Sequence, residues 1–207
     1  MKKLLYVKGS PRADRSRSSQ VADAFLTAYR ATHPAVTIDE LDLYATALPE
    51  FDGDRAAAKM SFFGDPAMNA RQQSEWDEIV AITQRFSSAD EYLFTVPMWN
   101  AGIPYRLKQY IDIITQPGLL FGFDPATGYS GLLKDKSATV IYSSGVYGPG
   151  AAPAFGVDHH STYFDWWLRS IGVDRITTVR HQPNILTADP AAGLAAARQE
   201  AAIAGAR

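Results

Sequence analysis

Short apolar runs and helix-period stretches take turns along this chain, and that alternation limits the fold more than any other feature. Residues 2–7, 36–41, 91–96, 137–142 and 173–179 are each rich in Val, Ile, Leu, Tyr or Thr and read as strands. Between them lie helical patterns. Val21, Ala24, Phe25 and Ala28 form one face of a helix over 18–32, which stops near His33-Pro34 because a residue before proline disfavours helix. Trp76, Ile79, Val80, Ile82 and Phe86 mark a second helix, and Leu107, Tyr110, Ile111 and Ile114 a third that opens at Pro104. Phe164, Trp167, Leu168 and Ile171 mark a fourth, and an alanine-rich segment from Pro190 a fifth. Five strands alternating with helices predict an α/β fold: a parallel sheet with helices on both faces, in one domain over 1–207 without repeats or a linker.

Two stretches stand outside the alternation. Residues 43–69 form a long connection with Pro49, Gly53, Gly64 and Pro66, which is functional or carries short helices of its own. Residues 119–133 are built on turn dipeptides and suggest a hairpin.

In an open parallel sheet, ligands bind beyond the carboxyl ends of the strands at the point where the strand order reverses. With the order 2-1-3-4-5, the loops after strands one, three and four converge there. The first runs Lys8-Gly9-Ser10-Pro11-Arg12-Ala13-Asp14-Arg15-Ser16-Arg17-Ser18-Ser19 into a helix N-terminus. Hydroxyls, unpaired N–H groups and the positive end of a helix dipole make such a turn a cradle for a phosphate. The second, Pro97-Met98-Trp99-Asn100-Ala101-Gly102, offers an aromatic face, an amide and close backbone. The third, Ser143-Ser144-Gly145-Val146-Tyr147-Gly148-Pro149-Gly150, is glycine-rich with Tyr147 as a second planar wall. Flat apolar faces with backbone donors nearby suit an isoalloxazine ring, and with no nucleophile or metal cluster in view a cofactor has to supply the chemistry.

Composition removes other classes. A formal charge of −2 lacks the basic excess of a nucleic-acid binder. Cysteine is absent, which excludes disulfides, thiol nucleophiles and cysteine-ligated metals and suits the cytoplasm. No run is long enough to span a bilayer, so no membrane partner is expected. His159-His160 has no third ligand nearby, so no metal is expected and the pair reads as structural or pocket-lining. Trp166-Trp167 reads as core or subunit interface, and Arg175 and Arg180 as solvated or edge charges. The glycines from Gly145 to Gly150 have the wrong spacing for a dinucleotide fingerprint, as fits a nicotinamide donor that only visits.

These residues resemble the FMN-dependent NADH-azoreductases, also described as FMN-dependent NADH:quinone oxidoreductases, among the flavodoxin-like quinone reductases. The resemblance spans nearly the whole chain. It rests on the serines in Lys8–Ser18, on Pro97-Met98-Trp99-Asn100, on Leu107-Lys108-Gln109-Tyr110-Ile111-Asp112, on the Ser143-x-Gly145 turn, and on Trp167-Leu168-x-x-Ile171-Gly172. It implies a flavodoxin-like three-layer sandwich and bound FMN, reduced by NADH or NADPH and reoxidised by quinones or aromatic azo compounds in a ping-pong sequence. Ser10, Ser16, Arg17 and Ser18 would hold the phosphate. Pro97, Met98, Trp99, Asn100 and Ala101 would line the ring, and Ser143, Ser144, Gly145, Val146 and Tyr147 would close its far edge. Asn100 and Gly145 are the candidates for tuning the ring, with no catalytic side chain beyond the flavin, and Phe123 and Tyr147 are candidates for the substrate. The chain departs from the family's pattern at Gly9, often a serine, and in Arg12 and Arg15. It also departs at Ala101 and Ser170, often aromatic, and at Phe123, where a tyrosine can stand.

The competing reading is a flavodoxin-type electron carrier, a binding module without turnover. Such carriers use a strongly acidic docking surface, which a charge of −2 does not supply. A receiver-like domain would need paired acids after strand one, where only Asp14 stands. Phe51, Phe62, Phe63, Leu119, Leu120, Phe121 and Phe123 form more apolar surface than a monomer should expose, so a homodimer is expected.

Overall fold

The computed structural model describes residues 2–12 and 15–207; Ala13 and Asp14 of the first loop lie outside them. The strands are β1 (Lys3–Lys8), β2 (Thr37–Asp42), β3 (Glu91–Pro97), β4 (Phe121–Asp124), β5 (Gly128–Gly131), β6 (Ser137–Ser143) and β7 (Arg175–His181). The helices are α1 (Arg17–Thr32), α2 (Gly53–Met60), α3 (Ala70–Ser87), α4 (Tyr105–Ile114), α5 (Ser161–Ser170) and α6 (Pro190–Gly205). Five strands pair in parallel in the order β2-β1-β3-β6-β7, which is the expected 2-1-3-4-5 once the hairpin is set aside.

The central strands carry apolar residues on both faces, and the pleat divides them between two cores. Leu4, Tyr6, Leu93, Ile141 and Val179 pack under α1 and α6, against Val21, Phe25, Leu26, Ala197 and Ala201. Leu5, Val7, Phe94, Val140 and Tyr142 point the other way, against Trp76, Ile79 and Phe86 of α3, Leu107 and Ile111 of α4, and Phe164 and Trp167 of α5. The result is three layers, helices–sheet–helices.

Local chemistry sets the ends of the helices. Ser16 caps α1 by accepting from the Ser19 N–H at 3.2 Å, and Asp189 caps α6 through the N–H groups of Ala191 and Ala192. Pro104 sits one position earlier than the sequence suggested: it occupies the cap of α4, with Tyr105 the first helical residue. The 43–69 connection contains α2, a 3-10 turn over Ser61–Phe63, and an Asn69–Gln72 capping box that opens α3. Residues 119–133 form the β4–β5 hairpin, with its turn held by Asp124 Oδ1 accepting from Ala126 and Thr127 N–H at 2.8 and 2.9 Å. Two glycines seat that hairpin on the end of α5. A Cβ on Gly131 would lie 2.2 Å from the Gly172 nitrogen, and one on Gly172, which has φ +97°, would lie 2.3 Å from the Leu133 carbonyl oxygen.

Two expectations need correction. Arg180 is not a solvated edge charge: it is half-buried, lies 5.2 Å from the centre of the Tyr142 ring and donates to the Ser161 hydroxyl. Leu120 is fully buried, and Phe51, Leu119 and Phe121 are half-buried, so of the apolar residues assigned to a subunit interface only Phe62, Phe63 and Phe123 stay exposed. The tryptophan pair divides, with Trp167 in the core and Trp166 on the surface.

Candidate flavin site at the switch point of the sheet

β1 and β3 are parallel neighbours whose chains continue toward opposite edges of the sheet, so the loops after them open a crevice between them. Gly9 begins the first loop and is required there by close approach. Its N–H reaches the Thr95 carbonyl at 3.0 Å, and a Cβ would lie 2.6 Å from that oxygen. Any side chain here would push β1 from β3 at this point.

Beyond Gly9 lies a cleft of about 200 Å³. Ser10, Arg12, Ser16, Arg17 and Ser18 form one wall; Pro97, Met98 and Trp99 form a second; Ser143, Ser144 and Gly145 form a third. The structure therefore brings all three expected loops together. Helix geometry leaves the first N–H groups of α1 without intrahelical acceptors, and Ser16 satisfies only that of Ser19. Those of Arg17 and Ser18 remain beside the cleft. Ser16 and Ser18 hydroxyls lie 3.1 Å apart, both buried. Among the described residues, no carboxylate lines this cleft and no ion pair involves Arg12, Arg15 or Arg17, so the cleft is cationic. Arg17 also acts on its neighbour: burial, with the Arg17 charge second, holds the His181 imidazole below its ordinary pKa.

The second wall is a tight turn. Trp99 and Gly102 exchange both backbone hydrogen bonds, at 2.9 and 3.0 Å, and the residues between them, Asn100 and Ala101, have φ +49° and +65°. Two central residues at positive φ mark the primed hairpin turns, which asparagine enters readily and alanine only with strain. Met98 N–H donates to the Ser143 carbonyl at 2.7 Å and ties this wall to the third. Trp99 is 47% exposed. Trp99 also borders a basin of about 910 Å³ whose lining includes Tyr44, Asn100, Tyr105, His159 and Tyr163.

The third wall is held by the loop after β7, which sequence reasoning missed. Asn184 and Ile185 line the cleft. Asn184 N–H donates to the Ser144 carbonyl, and Ile185 and Leu186 N–H both donate to the Gly145 carbonyl, at 2.8 to 3.0 Å. A Cβ on Gly145 would lie 2.9 Å from Ile185 Cδ1. No glycine or hydroxyl cluster marks that loop; only its place after a strand could have flagged it.

Some expected site residues lie apart from the cleft. Tyr147 is half-buried against Gly156, with its carbonyl accepting from the Ser144 hydroxyl, and Val146 borders a neighbouring groove with Phe155 and Leu186. Phe123 stands on β4 beside Tyr129, rings 4.9 Å apart, and lines neither the cleft nor the basin. Ala101 lines neither cavity by its side chain. The histidines differ from each other: His159 borders the basin, whereas His160 is fully buried, with Nε2 2.8 Å from the Val96 carbonyl. Among the described residues, no group of three acids or histidines could hold a metal ion.

Comparison with known proteins agrees with this geometry. A family described as having the flavodoxin-like fold matches residues 2–203. An FMN-dependent NADH:quinone oxidoreductase of Ruegeria pomeroyi is 55% identical over 193 residues, 93% of this chain and 95% of the relative. One from Desulfotalea psychrophila is 42% identical over 185 residues, 89% of this chain and 87% of the relative. Among solved structures, an azoreductase from Bacillus anthracis superposes with a TM-score of 0.89 at 28% identity, covering 100% of this chain and 99% of that one. An FMN-dependent NADH-azoreductase from the same species, in complex with FMN, gives 0.87 at 28% identity with the same coverage. The chain belongs to the flavodoxin-like family of the FMN-dependent NADH:quinone oxidoreductases.

Proposed function

We propose that this protein is an FMN-dependent oxidoreductase that passes two electrons from NADH or NADPH to a quinone or an aromatic azo compound. One observation carries the reading: a cationic, donor-lined cleft at the switch point ends at an exposed tryptophan. The residues fit the cofactor. Ser10, Ser16, Arg17 and Ser18, with the free N–H groups of α1, suit a phosphate dianion, and Arg12 adds charge to the same wall. Pro97, Met98 and Trp99 suit a flat ring, with Asn100 and Ala101 completing that wall. Ser143, Ser144 and Gly145 suit the ring's opposite edge, with Val146 and Tyr147 supporting that loop from behind.

When bound, FMN supplies the hydride and electron transfer. The chain's own residues bind and orient. Backbone donors at Gly145 and the Asn100 amide would bias electron density in the ring. The basin beside Trp99 leaves one approach open to solvent, so donor and acceptor would use it in turn, a ping-pong order. The size and apolar lining of the basin suit planar aromatic acceptors, and Phe123 and Tyr147 remain candidates for acceptor contact.

An electron carrier is the weaker alternative, because a formal charge of −2 does not supply the strongly acidic surface such carriers use for docking. We also infer a cytoplasmic homodimer acting as one domain over 1–207. A cysteine-free chain suits the reducing compartment, no described helix is long and apolar enough to cross a membrane, and exposed Phe62, Phe63 and Phe123 suit an interface. Purified protein should be yellow, release FMN on denaturation, and oxidise NADH with benzoquinone in a parallel-line steady-state pattern. Flavin binding with a stable semiquinone and no NADH oxidation would favour the carrier; absence of flavin would overturn both.

A further inference from the structure

The turn that bears Trp99 has a strained backbone, and the segment packed against it is not explained by the core alone. His160 is fully buried, yet only one of its ring nitrogens has a partner. Nε2 lies 2.8 Å from the Val96 carbonyl, an acceptor only, so Nε2 carries the proton and Nδ1 is bare. Burial pushes the imidazole down to about 4, which keeps it neutral. An unpaired buried acceptor is unfavourable, and a leucine would fill the space without one. What the imidazole adds is its one bond, to the last carbonyl before Pro97. Its neighbour makes a second: His159 N–H donates to the Ala101 carbonyl at 3.1 Å, inside the strained turn. Asp158 fixes His160 and the start of α5 by accepting from the N–H groups of His160 and Ser161 at 3.0 and 2.6 Å.

We propose that Asp158–Ser161 is a clasp that sets the conformation of the Trp99–Gly102 turn, with His160 as its positioning residue. One bond holds the strand at the turn's entry and the other holds the residue at φ +65°. Both ends of the turn are thereby referred to the N-terminus of α5 rather than left to the loop itself. Loosening the clasp lets Trp99 and Asn100 relax away from the cleft. The consequence for FMN rests on the reading that residues 97–101 line the ring.

The test uses the purified holoprotein and its His160→Leu and His160→Gln forms, with amide exchange followed by NMR at Trp99 and Gly102, the two N–H groups that close the turn. In the leucine form both should exchange about tenfold faster, while Val140 in the sheet keeps its rate. Glutamine can place an N–H where Nε2–H stood, and should restore the turn amides to within about threefold. Unchanged turn amides in the leucine form would overturn the clasp. So would equal acceleration at Val140, or a glutamine form no better than leucine. Should the leucine form not fold, the unaltered protein still decides: imidazole 15N signals must show protonated Nε2 and bare Nδ1, and the opposite tautomer overturns the proposal. Flavin visible circular dichroism and FMN affinity are read on the same samples. A loosened turn with both unchanged would uphold the clasp and remove the turn from the flavin ring.

Discussion

Replacing Ser16 and Ser18 together by alanine tests the phosphate cradle, and the geometry sets the size of the effect. The two hydroxyls lie 3.1 Å apart, so one of their two protons is used between them and one is left for a ligand. Ser16 Oγ also accepts the Ser19 N–H, which makes it the cap of α1. The double change therefore does two separable things. Loss of the cap lowers the stability of the flavin-free protein by about 1 kcal/mol. Loss of one charge-assisted hydrogen bond to a phosphate removes roughly 1.5–3 kcal/mol of binding, about ten- to a hundredfold in Kd. Binding should not vanish, because the Arg17 and Ser18 N–H groups and the arginines remain. FMN titrations by fluorescence quenching read the second effect and urea denaturation reads the first. Riboflavin is the control: without a phosphate it should bind both proteins alike. An unchanged FMN Kd would refute the reasoning, and equal losses for FMN and riboflavin would move the defect to the ring or the fold.

Three further outcomes are expected. His160 is fully buried and held at about 4 against an ordinary 6.5, so between those pH values the unfolded chain binds a proton that the folded chain refuses. Stability should fall by roughly 3 kcal/mol as pH drops through that window, and His160→Gln should lose less; parallel urea-midpoint curves for the two proteins would refute this. Gly172→Ala adds a Cβ 2.3 Å from the Leu133 carbonyl at φ +97°, and should cost about 3 kcal/mol or more in denaturation, with a loss under about 1 kcal/mol counting against the contact. Sedimentation at micromolar concentration should give twice the chain mass, and a monomer would remove the interface assigned to Phe62, Phe63 and Phe123.

The sheet was legible because its strands are written in runs that few other elements tolerate. Leu4-Leu5-Tyr6-Val7 and Tyr92-Leu93-Phe94 read as strands buried on both faces, and alternation with helices then points to a parallel sheet. The three ligand loops were legible because hydroxyls and glycines after a strand end have few other uses. The rest depends on contacts between distant segments. Nothing near Asn184 and Ile185 announces that their N–H groups will meet the Ser144 and Gly145 carbonyls. Ala101 gives no sign of positive φ, since alanine is a poor residue for it, and His159 holds it there from nearly sixty positions away. Arg180 looked solvated because sequence reports its charge and not the Tyr142 ring beneath it. Phe123 was placed by resemblance and Tyr147 was read as a planar wall of its loop, but neither side chain lines the cleft.

The contact between α1 and α6 has a consequence for the order in which the protein is made. α1 begins at the proposed phosphate cradle, and part of its apolar face is covered by Ala197 and Ala201. At the far end, Gly205 packs so closely that a Cβ would lie 2.4 Å from the Phe25 carbonyl. A ribosome supplies the first helix early and its cover only after residues 190–205 have been synthesised. Until then α1 has sheet beneath it but lacks its helical neighbour, so part of its apolar face stays uncovered. α1 is thus synthesised well before α6, and its packing is complete only once α6 is in place.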